Sequence, residues 1–181
     1  MPVGGGSTLP EGVDLDVSGR VGYVSTNVQI ECPLKEPDMT DPSPVTWRQR
    51  LDASRVDVWA AITDPAQMEQ WYFEEIDAFR AEVGFETQFT VVNEVGEYVH
   101  IWRVTEVEPN ERLVYAWRYE GIEGKATTTW TLAEDGGQTV LELVHEGIQT
   151  FPKDDPAFTR EACQGGWRYF LGERLPAFLS D

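Results

Sequence analysis

From residue 75 to residue 147 the sequence passes through six β-like segments, 75–81, 85–92, 97–108, 111–120, 124–133 and 138–147. Turns as short as "NEVGE", "EPNER", "EGIEG" and "EDGGQ" separate them. Connections of that length join neighbouring antiparallel strands, because a parallel pair needs a crossover of a dozen residues or more. The strand-like "VTWRQRLD" comes before them, with Trp47, Gln49 and Leu51 on one side. Together these segments predict an up-and-down antiparallel sheet of about seven strands. Such a sheet twists and curls around whatever covers it. One long helical pattern is at hand to do so, residues 155–179, in which Phe158, Ala162, Trp167, Phe170, Leu171, Leu175 and Phe178 approximate an apolar stripe.

That helix carries a contradiction in "QGGWRYFLGERL", where Gly165, Gly166 and Gly172 interrupt the run. Each costs about 1 kcal/mol of helix stability relative to alanine. The expectation is that they lie on the contact side, where they let the backbone approach the strands or bend where the strands diverge. Two short helices are expected after the first strand. Ser54 caps "SRVDVWAAIT", whose apolar face is Val56, Trp59, Ala60 and Ile62, and Pro65 opens "PAQMEQWY" at a first-turn position that tolerates proline. The fold class is therefore α+β, a curved antiparallel sheet wrapped around a long carboxy-terminal helix.

A single helix is not expected to fill the concave face of such a sheet. The inward faces pair aromatic bulk with a few polar groups: Leu113, Tyr115, Trp117 and Tyr119 in one strand, Ala126, Thr128, Trp130 and Leu132 in the next, Leu141, Leu143 and His145 in the last. Space walled in this way has the character of a small-molecule pocket. The opposing expectation is that aromatic residues of both layers pack it solid.

Charge bounds the partners. Thirty-two acidic residues face fourteen basic ones, a net charge of −18, which repels phosphate backbones and anionic membranes. No run of about 18 apolar residues and no basic start followed by an apolar core occurs. The expectation is a cytoplasmic protein that binds no nucleic acid and does not insert into membranes. The acidic surface reads either as a solubility device or as an adaptation to a salt-rich cytoplasm of halophilic type. Residues 1–44, rich in Gly, Pro, Ser and Asp, read as a poorly ordered or loosely docked extension ahead of a domain at 45–181. A strand within "RVGYVSTNVQIEC" and a natural start at Met39 are further expectations there. Cys32 and Cys163 have no metal-type spacing and suit a reducing compartment, with a disulfide between them left open.

Little in the chain points to catalysis. There is no G-x-S-x-G elbow and no phosphate-binding G-x-x-x-x-G-K-[ST] loop, and two histidines give a zinc site little support. No catalytic residue, metal ligand or cofactor is assigned. His145, on an inward face with Leu141 and Leu143, reads as a pocket wall, with general acid or base as the alternative; His100 has the weaker claim. Arg118 and Arg174 are candidates to meet a ligand carboxylate, or else pair with surface acids. The adjacent acids Glu74 with Glu75 and Asp154 with Asp155 read as solvated surface.

Four phrases in order carry a resemblance: "VWAAITDPAQMEQWY", "VTEVEPNERLVYAW", "TVLELVHEG" and "GGWRYFLGERL". They resemble the START-like SRPBCC superfamily with its helix-grip (START/Bet v-like) fold, and within it the Aha-type group, related to the carboxy-terminal domain of activators of the heat-shock chaperone ATPase. The resemblance covers about residues 45–180. It implies a pocket between the terminal helix and the sheet, lined by the matching positions Trp71, Tyr115, Trp117, Trp130, Leu143, His145, Trp167 and Phe170. This chain departs from the pattern in its long amino-terminal extension and in "WYFEE", where many relatives have a Trp-Trp-Gly-Pro-like turn. Shared fold leaves the chemistry open. The leading expectation is non-enzymatic binding of a small apolar, amphipathic or aromatic molecule. One alternative is a stress-response module that acts on a heat-shock chaperone, and the other is a cyclase- or hydrolase-like enzyme using the same cavity.

Overall fold

Alternating side chains build the sheet. In the structure, a computed structural model that describes residues 43–180, six strands are present among the described residues. They are β1 (Val45–Leu51), β2 (Glu86–Val92), β3 (Glu97–Glu108), β4 (Arg112–Tyr119), β5 (Ile122–Asp135) and β6 (Gln138–Glu146). Their order is β1-β6-β5-β4-β3-β2, with every neighbouring pair antiparallel. β2 to β6 form the expected meander, and β1 adds to its far edge, pairing Val45 with His145 and Trp47 with Leu143. Period-two burial marks the inner face: Tyr98, His100, Trp102 and Val104 in β3, Ala126, Thr128, Trp130 and Leu132 in β5, Thr139, Leu141, Leu143 and His145 in β6. Register shifts between Val104 and Glu106 and between Trp117 and Tyr119 interrupt the ladders. Irregularities of this kind bend strands and so help a sheet to curve.

The strand expected at residues 75–81 is a correction: the sheet has six strands, and this stretch is a loop. Its two buried side chains, Ile76 and Phe79, are three positions apart, a spacing that one strand face does not offer. Phe79 instead plugs into the core edge-on to Phe85, Trp102 and Tyr115. The expected amino-terminal strand, Met39 and Cys32 lie outside the described residues.

Helix α1 (Arg55–Thr63) starts where Ser54 accepts a bond from the amide of Asp57, and its hydroxyl returns one to the Asp57 carboxylate. Its buried residues are Val58, Ala61 and Ile62, so the apolar face lies to one side of the expected one, and Val56 is 64% exposed. Helix α2 (Pro65–Trp71) opens at Pro65 under an Asp64 cap and ends at Trp71, whose indole N–H donates to the carbonyl of Ala61 at 2.8 Å.

The terminal helix begins later than the sequence pattern suggested. Residues Pro156–Phe158 form a 3-10 turn, and Thr159 then caps α3 (Arg160–Tyr169) by accepting from the amide of Ala162. The helix widens into a π-helical turn over Phe170–Arg174 before α4 (Leu175–Leu179). Pro176 supplies the physical reason, since it has no N–H for the carbonyl of Gly172 and its ring crowds that oxygen, so the α pattern cannot continue through it. Trp167, Leu171 and Leu175 form the buried stripe.

The three glycines do different work. A methyl group on Gly172 would lie 3.2 Å from the indole of Trp47, so this residue does permit close approach to β1. A methyl on Gly165 or Gly166 would meet nothing within 4 Å. Close packing therefore does not explain that pair, which corrects the expectation for two glycines of three.

Candidate functional site

The space beside Gly166 is a cavity of about 230 Å³ between the terminal helix and the sheet. Cys163, Gly166, Trp167 and Phe170 contribute from the helix, and His100, Trp117, Tyr119 and His145 from the inner face. Tyr72 and Phe73, which follow α2, form a third side. Ile148, Phe151 and Phe158, from the segment between β6 and the terminal helix, complete this part of the lining.

That segment is held by backbone contacts only glycine permits. Gly147 and Gly124 have φ of 96° and 120°; a side chain at either would strike the backbone or side chain opposite, Lys125 in one case and Phe151 in the other. The hydroxyl of Thr150 accepts from the Lys125 amide at 2.8 Å and has the carbonyl oxygens of Gly147 and Lys125 within donating range. Phe151 is thereby stacked on Phe158 at 4.9 Å and set edge-on to Tyr119 at 5.4 Å. The Tyr98 hydroxyl donates to the carboxylate of Asp155, which also caps Ala157.

The walls are aromatic and uncharged. None of the lining residues is Asp, Glu, Lys or Arg. Burial lowers His145 to about 4 and His100 to about 3, so both imidazoles are neutral at pH 7. Burial likewise pushes the Cys163 thiol up to about 12 and raises Tyr72 and Tyr119 above the ordinary phenol value. Oγ1 of Thr128 is hydrogen-bonded to Nδ1 of His145 at 2.8 Å.

Several polar atoms in this lining lack such a partner. Nδ1 of His100, Nε1 of Trp117 and the Tyr72 hydroxyl are enclosed without a hydrogen bond. The polar neighbour of the Trp117 indole is the Tyr119 hydroxyl, and that of the Tyr72 hydroxyl is the Tyr115 hydroxyl. Trp47, Gln49 and Trp102, which do not line the cavity, carry such atoms too, so unpaired polar groups are spread through the core and are not gathered at this space.

Of the positions implied by the family resemblance, Trp117, His145, Trp167 and Phe170 line this cavity. Trp71, Tyr115, Trp130 and Leu143 do not. They lie deeper, each at most 1% exposed, where Trp130 donates to the Tyr115 hydroxyl and sets its ring edge-on to Trp71 and Trp167. Arg118 and Arg174 also stand elsewhere. Arg118 is 3.7 Å from Glu86 at an exposed site, and Arg174 donates to the Gln70 carbonyl and the Tyr169 hydroxyl. Tyr72, Phe73, His100, Tyr119, Phe151, Phe158 and Cys163 are lining residues outside the expected set. Several of these had a signal: Cys163 precedes Trp167 by one helical turn, His100 alternates with Tyr98 and Trp102, and Tyr119 shares the inward face of Tyr115 and Trp117. Phe158 belonged to the apolar stripe expected of the terminal helix, and Phe151, in the loop that follows the 3-10 turn at Ile148–Thr150, had no signal.

A family model described as Activator of Hsp90 ATPase homolog 1-like protein matches residues 52–180. The chain belongs to this family. Solved structures share its fold across about three quarters of the chain. Protein CV1439 from Chromobacterium violaceum is 26% identical, covering 77% of this chain and 99% of its own, with a TM-score of 0.65. CalU16 from Micromonospora echinospora is 27% identical over 76% of each chain, with a TM-score of 0.51. DynU16, a protein in the dynemicin biosynthetic locus, is 25% identical with a TM-score of 0.61; the match covers 76% of this chain and 47% of that longer one. A search of curated proteins returned no match. Among the described residues no helix is long and apolar enough to cross a membrane, and no group of three or more His, Cys, Asp or Glu is placed to hold a metal ion.

Proposed function

We propose that the protein is a binding module that holds a small, largely apolar molecule in the cavity between Trp167 and Phe170 on the helix and Trp117 and His145 on the sheet. One observation carries this reading: an aromatic-walled space of about 230 Å³, with no charged side chain in its lining, lies between the terminal helix and the sheet. That volume equals roughly eight waters at about 30 Å³ each. It lies a little below the range of about 300–1,000 Å³ usual for drug-sized ligands, so the guest is compact. Aromatic walls supply most of the contact area, and a few polar atoms orient the guest.

A role in chemistry has less to stand on. His145 is the best-placed acid or base, and burial holds it neutral with one nitrogen engaged by Thr128. The family description supports a second reading, in which the chain acts on a heat-shock chaperone; a change in that chaperone's ATPase rate on adding this protein is its test. For the binding reading the test is a screen of neutral lipids, aromatic polyketides and flavonoids. A binder quenches the emission of Trp117 and Trp167 and raises the melting temperature. A screen in which no compound does either overturns the reading.

A further inference from the structure

We infer that this cavity filters its guests by charge: it takes a flat, uncharged aromatic molecule with a hydroxyl or carbonyl at its edge, and excludes the carboxylate or ammonium analogue of the same skeleton. The inference rests on the binding reading above and deepens it to a ligand class.

Three independent observations support it. The first is compositional. One residue in four of this chain is charged, yet no charged side chain lines the cavity. The second is the commitment of the charges nearby. The Asp155 carboxylate, outside the lining, holds the Tyr98 hydroxyl and the Ala157 amide of two lining residues, and a negative charge so near opposes an anion in the cavity. Arg160, whose charge reaches Cys163, gives its guanidinium to the backbone carbonyls of Ser43 and Pro44. A carboxylate inside would therefore be buried without a cation, and an ammonium without a carboxylate; either leaves an uncompensated charge in a low-dielectric site.

The third observation concerns shape and hydrogen bonding. Tyr72 and Phe170 cross at 89°, as do Trp117 and Trp167 at 82°, with ring centres 4.8 and 6.1 Å apart, so faces and edges both border the space. Such walls suit a planar ring that stacks on one face and meets an edge. The polar side chains of the lining, Asn93, Tyr119 and His145 among them, are uncharged and can form a neutral hydrogen bond with an oxygen at the edge of that ring. A guest without such an oxygen forgoes that bond.

The experiment is isothermal titration of the full chain at pH 7 with four probes of one skeleton: naphthalene, 2-naphthol, 2-naphthoate and 2-naphthylmethylammonium. The expected order is 2-naphthol tightest and naphthalene about tenfold weaker, as befits one lost hydrogen bond. The two ions bind about a hundredfold weaker or not at all. Binding of 2-naphthoate or of the ammonium within about threefold of 2-naphthol overturns the charge filter and leaves the binding reading standing. Naphthalene as tight as 2-naphthol overturns the requirement for an edge oxygen. Failure of all four probes beside a hit in the wider screen overturns the flat aromatic ligand class and leaves the binding reading standing; failure in both removes the binding reading as well.

Discussion

Oγ1 of Thr128 lies 2.8 Å from Nδ1 of His145 across paired strands, while the rings of Trp117 and Trp167 enclose the same imidazole. His100 sits among Phe73, Phe89, Trp117 and Tyr119. No ionised group faces either, so burial alone lowers them, His145 to about 4 and His100 to about 3. In the unfolded chain both titrate near 6.5. Between those values and about 6.5 the unfolded state binds more protons, so stability is complete above about pH 6.5 and falls as the pH drops toward 4. For His145 the loss by pH 4 is roughly 3 kcal/mol. Urea unfolding from pH 7 to pH 4 measures it, and His145→Asn is expected to flatten the slope. An unchanged slope in that variant contradicts the assignment.

The three helix glycines are expected to answer differently to one methyl group. Gly165→Ala and Gly166→Ala each gain about 1 kcal/mol, because the helix benefits and the new methyl meets nothing. Gly172→Ala gains less or loses stability, since its methyl presses on Trp47 at 3.2 Å. Denaturant midpoints of the three variants give the order directly. Equal gains at all three positions would show that Gly172 is not a close-approach site.

Gly124 lets Phe151, a wall of the cavity, pack against the β5 backbone. Gly124→Ala places a side chain at φ 120° and drives it into Phe151, at an expected loss of roughly 2–4 kcal/mol from strain and overpacking. Because Phe151 stacks on Phe158, displacement loosens the segment from residue 148 to 158. Hydrogen exchange in that segment is expected to rise before exchange in β5 does. Uniform exchange across both would mean that Phe151 is not an anchor.

Much of this fold was legible in the sequence because it rests on local periodicity. Alternation in "YVHIWRV" and "TVLELVH" marked the inner face, and the cap at Ser54 and Pro65 at a first turn set the short helices. The segment at 75–81 misled because Ile76 and Phe79 are apolar for a tertiary reason, a loop that inserts two side chains, and not for a strand's. Cavity-lining residues were legible where a regular element presents them, as with Trp117, His145, Trp167 and Phe170. Trp71, Tyr115, Trp130 and Leu143 face inward too, but depth along the layer separates a wall from a core, and no one-dimensional pattern records depth. The π turn follows from Pro176, one helical step beyond Gly172, a pairing whose meaning appears only once the helix register is known.

The most direct measurement is calorimetric titration of 2-naphthol into the wild-type chain and into Gly166→Phe, whose added ring has open space to enter at the cavity wall. The account expects saturable one-site binding to the wild type and its loss in the variant, with the variant's melting temperature no lower than the parent's. Equal binding to both proteins, or none to the wild type, would contradict the claim that this cavity holds the guest.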